Sequence, residues 1–421
     1  MLDIKFIREQ KELIALAAKK KHLDFDVDKL LAVDDKRRAV LTRVEQARTE
    51  QNQASLDLNR ASDDERKKII EKMRFVKEGL QSAEEELKGV MHEWQSLMVQ
   101  VPNIPDMSVP DGESDADNKE VKQWGEPTKF DFEPKSHIEI MTALDMADFE
   151  RGAKVAGFRG YYLKNAGAEL SFAVWRYALD FFLKKNFVPM IVPSLVRREP
   201  LMGTGFLPQG EEDLYKTQDG DYLAGTAEVA TMGYYMNEVL DKSQLPQKFL
   251  SFSPCFRREA GSHSKDVKGL IRVHEFYKLE QVILCEASHE ESVKWHEELN
   301  RNTEEFIESL GIPYHTVVNC GGDLGLGQVK KYDIELWVPL ENTYREISSA
   351  SYFHDFQTRR LNIRYKNDEG KLVYAHSLNS TAIPTPRILV SLIENFQQAD
   401  GSVMIPDVLR PYLNGKDKIS R

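Results

Sequence analysis

Between residues 30 and 101 the apolar side chains fall into two runs that tightly restrict what this stretch can fold into. Leu30, Val33, Arg37, Val40, Val44, Ala47, Gln51, Ala54 and Leu58 are spaced alternately by three and four, and seven of these nine are apolar. Ile69, Met73, Val76, Leu80, Ala83, Leu87, Val90, Trp94, Leu97 and Val101 keep the same alternation, and all ten are apolar. A 3.5-residue repeat on two long segments predicts a coiled-coil seam on each of two helices. Between them, Ser62 with Glu65 three residues later is a capping box that starts the second helix. Two such helices joined by a short turn predict an antiparallel hairpin whose limbs are each about 50 Å long at 1.5 Å per residue. With little core beyond its seam, it should project as an arm; a dimerising coiled coil is the alternative.

Charge is distributed unevenly about this hairpin. The 421 residues carry 57 Lys and Arg against 68 Asp and Glu, a net charge of −11. That excludes a protein that coats nucleic acid with bulk positive charge. The first hundred residues are neutral, so the remainder carries the whole excess. Residues 36–77, around the expected tip, hold twelve basic and seven acidic side chains. A basic segment on an acidic protein suits a polyanion, although on charge alone a solvated helix face is the commoner reading. The three cysteines, Cys255, Cys285 and Cys320, are sparse and form no CxxC, which fits a reducing, cytoplasmic setting. The N-terminus is too charged for a secretory signal, and no apolar run approaches a membrane span.

Residues 102–136 are rich in Pro and Asp and read as a connector, so the expected division is 1–101 helical arm, 102–136 connector and 137–421 mixed α and β. There is no GxxxxGK[ST] loop and no GxGxxG after a strand; Gly321–Gly327 reads as a tight turn. His289 and His296 lie seven apart among glutamates on an expected helix and read as a solvated face.

Three segments carry chemistry. Leu170, Ala173, Val174, Tyr177, Ala178, Phe181 and Phe182 form one helical stripe, followed by an apolar strand from Phe187 to Val192. Lys248–Glu259 and Glu275–Leu284 read as two antiparallel strands with a long connector. Alternation places Arg257 with Glu259 on one face, and Phe276 with Lys278 and Glu280 on one face. An arginine fork and carboxylates beside an aromatic ring suit a zwitterion or a nucleotide. The third segment runs from His376 to Arg387 and enters a helix, with Thr385 as expected N-cap and Pro386 in the first turn. Arg387 then sits at a helix start, where a cation is unfavourable unless an anion is bound.

Together these segments resemble motifs 1, 2 and 3 of the class II aminoacyl-tRNA synthetases, and are similar in wording to the bacterial-type seryl-tRNA synthetases. Val101-Pro-Asn-Ile-Pro105, Trp124-Gly-Glu-Pro127, Gly203-Thr-Gly205, Thr226-Ala-Glu228, Phe256-Arg-Arg-Glu-Ala-Gly261, Tyr332-Asp-Ile-Glu335 and Arg345-Glu-Ile-Ser-Ser349 add to the likeness, which spans nearly the whole chain. The fold it implies is α+β, an antiparallel class II sheet flanked by helices behind a two-helix tRNA-binding arm. The activity it implies is ATP-dependent attachment of serine to tRNA(Ser) through a seryl-adenylate. The partners it implies are serine, tRNA(Ser), tRNA(Sec) as a further tRNA, and a second copy of the chain in a homodimer.

The resemblance also implies roles residue by residue. Arg257 and Arg387 are the catalytic arginines, on the α-phosphate and γ-phosphate of ATP. Arg257, Arg258, Glu259, Val273, Phe276, Glu346, Ile347, Ser348, Ser349 and Arg387 form the ATP site, with Phe276 stacked on adenine. Thr226, Glu228, Arg257, Glu280, Asn379 and Thr381 form the serine site. Glu346 and Ser349 hold Mg²⁺. The sequence departs from the family pattern at Glu275, at Ser380 and in the loop Ser262–Lys268, which puts rate and tRNA preference in question. Two alternatives stand beside this reading: a paralog that charges a carrier protein, and a non-catalytic scaffold. The intact arm counts against the first, and the presence of Arg257, Glu280, Glu346 and Arg387 against the second.

Overall fold

The computed structural model describes residues 1–59, 62–261 and 266–421. The expected tip at Arg60 and the loop residues Ser262–Lys265 lie outside the described residues. The chain forms two compact units, one of residues 1–19 and 23–102, the other of 20–22 and 103–421.

In the first unit, helices α1 (Val27–Leu58) and α2 (Asp63–Met98) realise the two heptad runs. Val44 packs with Leu80 and Ala83, Arg43 pairs with Glu86 at 2.9 Å and Arg48 with Glu84 at 2.7 Å. As one number rises the other falls, so the limbs run antiparallel. The Ser62 backbone N–H donates to Glu65 at 2.9 Å, as the capping box requires. Two seam positions needed accommodation. Arg37 satisfies its charge on buried Asp34 at 2.7 Å and lays its guanidinium over Trp94, 4.7 Å from the ring centre. Helix α2 stops at Met98, short of Val101, because Pro102 disfavours the helical conformation in the residue before it.

The second unit is built on an eight-stranded sheet. Its strands are β1 (Lys119–Trp124), β2 (Val188–Ile191), β3 (Gln247–Phe256), β4 (Glu275–Cys285), β5 (Tyr314–Val318), β6 (Lys330–Val338), β7 (Thr343–Tyr352) and β8 (His376–Thr385). Their order is β1-β5-β6-β7-β8-β4-β3-β2, antiparallel throughout except for β2 beside β3. The Pro- and Asp-rich stretch therefore does more than connect: within it β1 forms an edge of the sheet.

Helices α3 (Ala166–Leu183) and α5 (His289–Leu310) share one core with the sheet. Along β4, Leu279 and Ile283 enter that core, and Gln281 donates to the Leu299 carbonyl of α5 at 3.2 Å. The alternate residues Phe276, Lys278 and Glu280 are thereby left on the opposite face. His296 is not solvated as its glutamate neighbours suggested. It is fully buried, bonded to the Ala350 carbonyl at 2.9 Å and stacked on Tyr332, and burial pushes its imidazole down to about 4. Among the described residues no helix is long and apolar enough to cross a membrane, and all three cysteines are free and buried.

Candidate active site

Two adjoining cavities open on the face of β4 that carries Phe276, Lys278 and Glu280. They share Arg257, Lys278, Glu346 and Thr381 as lining residues.

The first cavity is cationic. Arg257 follows the last residue of β3; its N–H is fixed by the His274 carbonyl at 3.0 Å and its guanidinium lies 5.4 Å from the centre of the Phe276 ring. Gly225 makes room for it, because a Cβ there would come within 3.2 Å of the arginine stem. Among the described residues no carboxylate lies within ion-pair distance of Arg257 or of Arg387. Arg387 opens helix α6 (Arg387–Asn395) and donates to the carbonyls of Ile271 at 2.8 Å and Glu346 at 2.9 Å. Burial, with Arg257 and Arg272 nearby, pulls its pKa below the usual guanidinium range, against the pull of Glu346 and Glu259. Guanidiniums with no direct ion-pair contact keep their donors for a polyphosphate.

Two expectations change here. The cap of α6 is Pro386, and Thr385 is the last residue of β8. Arg257 and Glu259 do not share a face by strand alternation, because β3 ends at Phe256 and Glu259 adopts φ 54°. Both nevertheless line this cavity. Glu259 pairs with Arg272; burial alone would raise its pKa, but that hydrogen bond and the surrounding arginines hold the carboxyl below the usual range. Val273, Phe276 and Ile347 complete the apolar wall.

The second cavity, about 250 Å³, is lined by Thr226, Glu228, Arg257, Glu280, Asn379 and Thr381. Register explains the convergence. Glu280 stands opposite Thr381 across β4 and β8, next to a bulge at Leu279/Glu280, and Asn379 lies two residues along the same face. Lys278 donates to Glu280 at 2.6 Å, and both are nearly sealed from solvent. Glu228, at the start of the short helix α4 (Glu228–Gly233), accepts from Gln357 at 2.7 Å. Burial first, then the charge of Glu280, pushes Glu228 up to about 7. Two carboxylates and one ammonium leave an acidic end, which suits a cationic amine, while Arg257 at the border suits a carboxylate.

A bulge also unites Glu346 and Ser349. Three residues apart on β7, they would face opposite ways in a regular strand. Ile334 of β6 stands opposite Ser348 and Glu335 opposite Glu346, so Ile347 is the extra residue that flips the alternation. Both side chains then line the second cavity.

Arg258 and Ser348 line neither cavity. Arg258 is exposed and donates to the Glu212 carbonyl at 3.0 Å, while buried Ser348 donates to the Thr381 carbonyl. Sequence reasoning gave no role to Lys278, Gln357 or Arg272. Lys278 was visible as the middle of the Phe276–Glu280 face; Gln357 and Arg272 carry no local signal.

With this geometry in place, comparison with known proteins is direct. Residues 1–105 match the seryl-tRNA synthetase N-terminal domain, and residues 215–396 match the tRNA synthetase class II core domain (G, H, P, S and T). The chain is 46% identical over 422 residues to the serine–tRNA ligase of Deinococcus radiodurans, covering 100% of this chain and 99% of that one. Its structure resembles the seryl-tRNA synthetase of Pyrococcus horikoshii complexed with ATP, with a TM-score of 0.92 at 38% identity, covering 100% of this chain and 99% of that one. It also resembles the cytoplasmic serine–tRNA ligase of Naegleria fowleri in complex with AMP, with a TM-score of 0.87 at 32% identity and the same coverage. The chain belongs to the seryl-tRNA synthetases, ligases of the class II aminoacyl-tRNA synthetase fold.

Proposed function

We propose that this chain attaches serine to tRNA(Ser) in two steps at the paired cavities. The serine carboxylate attacks the α-phosphorus of ATP and pyrophosphate leaves, giving seryl-adenylate. The 3′-terminal adenosine hydroxyl of the tRNA then takes the seryl group and AMP leaves. The observation that carries this reading is the join at Arg257, between an acidic cavity of amino-acid size and a cavity whose two arginines, among the described residues, have no carboxylate in ion-pair contact. No covalent enzyme intermediate is needed, so the work is positioning and charge neutralisation.

Glu228 and Glu280 take the serine ammonium, with Thr226, Asn379 and Thr381 offering hydrogen bonds. Arg257 bridges the serine carboxylate and the α-phosphate, and Arg387 holds the γ-phosphate. Adenine stacks on Phe276 between Val273 and Ile347, with Glu259 at its edge. Glu346 and Ser349 fit a divalent ion: both offer an oxygen in the second cavity, Glu346 also lining the first, and Mg²⁺ is commonly held by few protein oxygens plus substrate phosphates. Bound there, Mg²⁺ would neutralise phosphate charge. Arg258 and Ser348 support the site from outside the cavities.

The division into an arm at 1–101, a 102–136 segment and a 137–421 catalytic region follows the same reading. The arm takes the tRNA, with tRNA(Sec) as a further substrate and the cytoplasm as the setting. Lys36, Arg38, Lys67, Lys68, Lys72 and Lys77 are exposed, and among the described residues they have no ion-pair partner. A homodimer is supported by the exposed Phe172 on α3 and by β2 at an open sheet edge, where Ile191 is 87% exposed. Beside them is an aromatic-lined cavity of about 600 Å³.

Changing Lys67, Lys68, Lys72 and Lys77 to Gln tests the arm. Serine-dependent exchange between pyrophosphate and ATP should stay within about twofold, while kcat/KM for tRNA(Ser) falls by at least about tenfold and depends less on salt. Unchanged charging of tRNA would overturn the assignment.

A further inference from the structure

The glycine-rich stretch Gly321–Gly327 does not end as a tight turn. After the turn at Gly321–Asp323 it continues along the amino-acid cavity, which Gly325, Leu326, Gly327 and Gln328 line. A wall with this much glycine has wide conformational freedom and cannot define a pocket by its own preference.

What holds it comes from far away in the chain. Lys20–His22 belong to the same compact unit as the cavity. The Lys21 ammonium is almost wholly buried and donates to three carbonyls: Gly325 at 3.0 Å, Leu326 at 2.9 Å and Gln328 at 2.6 Å. Asn103 supplies the missing member, donating from its side chain to the Gly327 carbonyl at 3.0 Å and the Phe353 carbonyl at 2.8 Å; its backbone N–H donates to Leu326 at 2.9 Å. Four successive carbonyls are thus drawn towards two residues that do not line the cavity. Gln328 closes the loop from within, accepting from the Gly325 N–H at 2.6 Å and donating to Ser351 at 2.8 Å.

Lys21 has spent its full capacity of three donors on this loop. Among the described residues no carboxylate is within ion-pair distance of it. Burial pushes its pKa down to about 7, the cost of holding an ammonium away from water. A lysine that served only to fill space would be replaced by any apolar stem without consequence for the substrate.

We propose that Lys21 is a positioning residue for the amino-acid substrate, fixing the Gly325–Gln328 wall so that the pocket admits a small hydroxylated side chain and turns away a larger one. This rests on the serine reading of that cavity.

Lys21→Met keeps the stem and removes the three donors. Full-length protein is assayed for pyrophosphate exchange with serine, with threonine and with varied ATP. The expected result is a serine KM raised by about tenfold or more, an ATP KM within about twofold, and a preference for serine over threonine reduced by about tenfold. A purely structural lysine would lower the melting temperature and leave these ratios alone. Should Lys21→Met not yield folded protein, Asn103→Ala unties the same wall from the other side and carries the same expectation. Unchanged serine KM and selectivity, or an equal rise in both KM values, overturns the proposal. Wild-type protein that fails to exchange with serine would refute the underlying reading instead, so the two failures are distinguishable.

Discussion

Lys278→Met separates the charge logic of the amino-acid cavity from its shape. In the native chain the Lys278 ammonium lies 2.6 Å from Glu280, with side chains only 8% and 3% exposed. Thr381 also donates to that carboxylate, at 3.3 Å. Removing one partner of a buried pair leaves the other charge uncompensated and costs about 3–5 kcal/mol. Here Glu228 adds to the cost, since its charge and that of Glu280 already oppose each other. For a unit of this size, at about 2 °C per kcal/mol, the melting temperature should fall by about 6–10 °C without ligand. Serine should then protect the variant more than the wild type, because the substrate ammonium replaces the missing positive charge. Differential scanning fluorimetry with and without serine reads both effects. Lys278→Met/Glu280→Gln should recover most of the lost stability while remaining inactive. A fall below about 2 °C, or no recovery in the double variant, would refute the idea that these charges are coupled in a closed site.

Glu228 gives a pH prediction. Its pKa in the fold is near 7 against an ordinary 4.5, so its contribution to stability is whole below about 4.5 and is lost as pH rises through 7. Serine binding should run the opposite way, tightening as the carboxylate ionises, and both slopes should flatten in Glu228→Gln; a serine KM with the same pH profile in both proteins contradicts the role given to Glu228. For the dimer, sedimentation at about micromolar concentration should give a two-chain species, and Ile191→Asp a single chain, given the cost of burying an unpaired carboxylate; a monomeric wild type would remove the basis for that assembly.

What could be read from the sequence was set by the range of the interactions. The two heptad seams and the Ser62–Glu65 box are local, and both are present as expected. So is the shared face of Phe276, Lys278 and Glu280, which depends only on period two. Period two failed wherever the backbone left the regular strand. The bulge at Ile347 puts Glu346 with Ser349, and the left-handed turn at Glu259 follows the end of β3. No local pattern distinguishes Pro386 from Thr385 as cap, or marks residues 119–124 as a sheet edge, because partners distant in sequence decide both. Lys21 is the extreme case: its three acceptors lie more than three hundred residues away. The motifs carried the candidate site because they preserve the residues whose spacing the fold converts into proximity.

The most direct test of the account is pyrophosphate exchange with ATP, measured across serine, threonine, alanine and cysteine. A pocket that hydrogen-bonds a small hydroxyl leaves buried polar groups unpaired with alanine, so serine should exceed alanine by about four powers of ten in kcat/KM. Exclusion of threonine rests on the fixed wall at Gly325–Gln328 and should be clear but smaller. No exchange with serine, or equal exchange with alanine or threonine, would contradict the central claim that these two cavities form one site for activating serine.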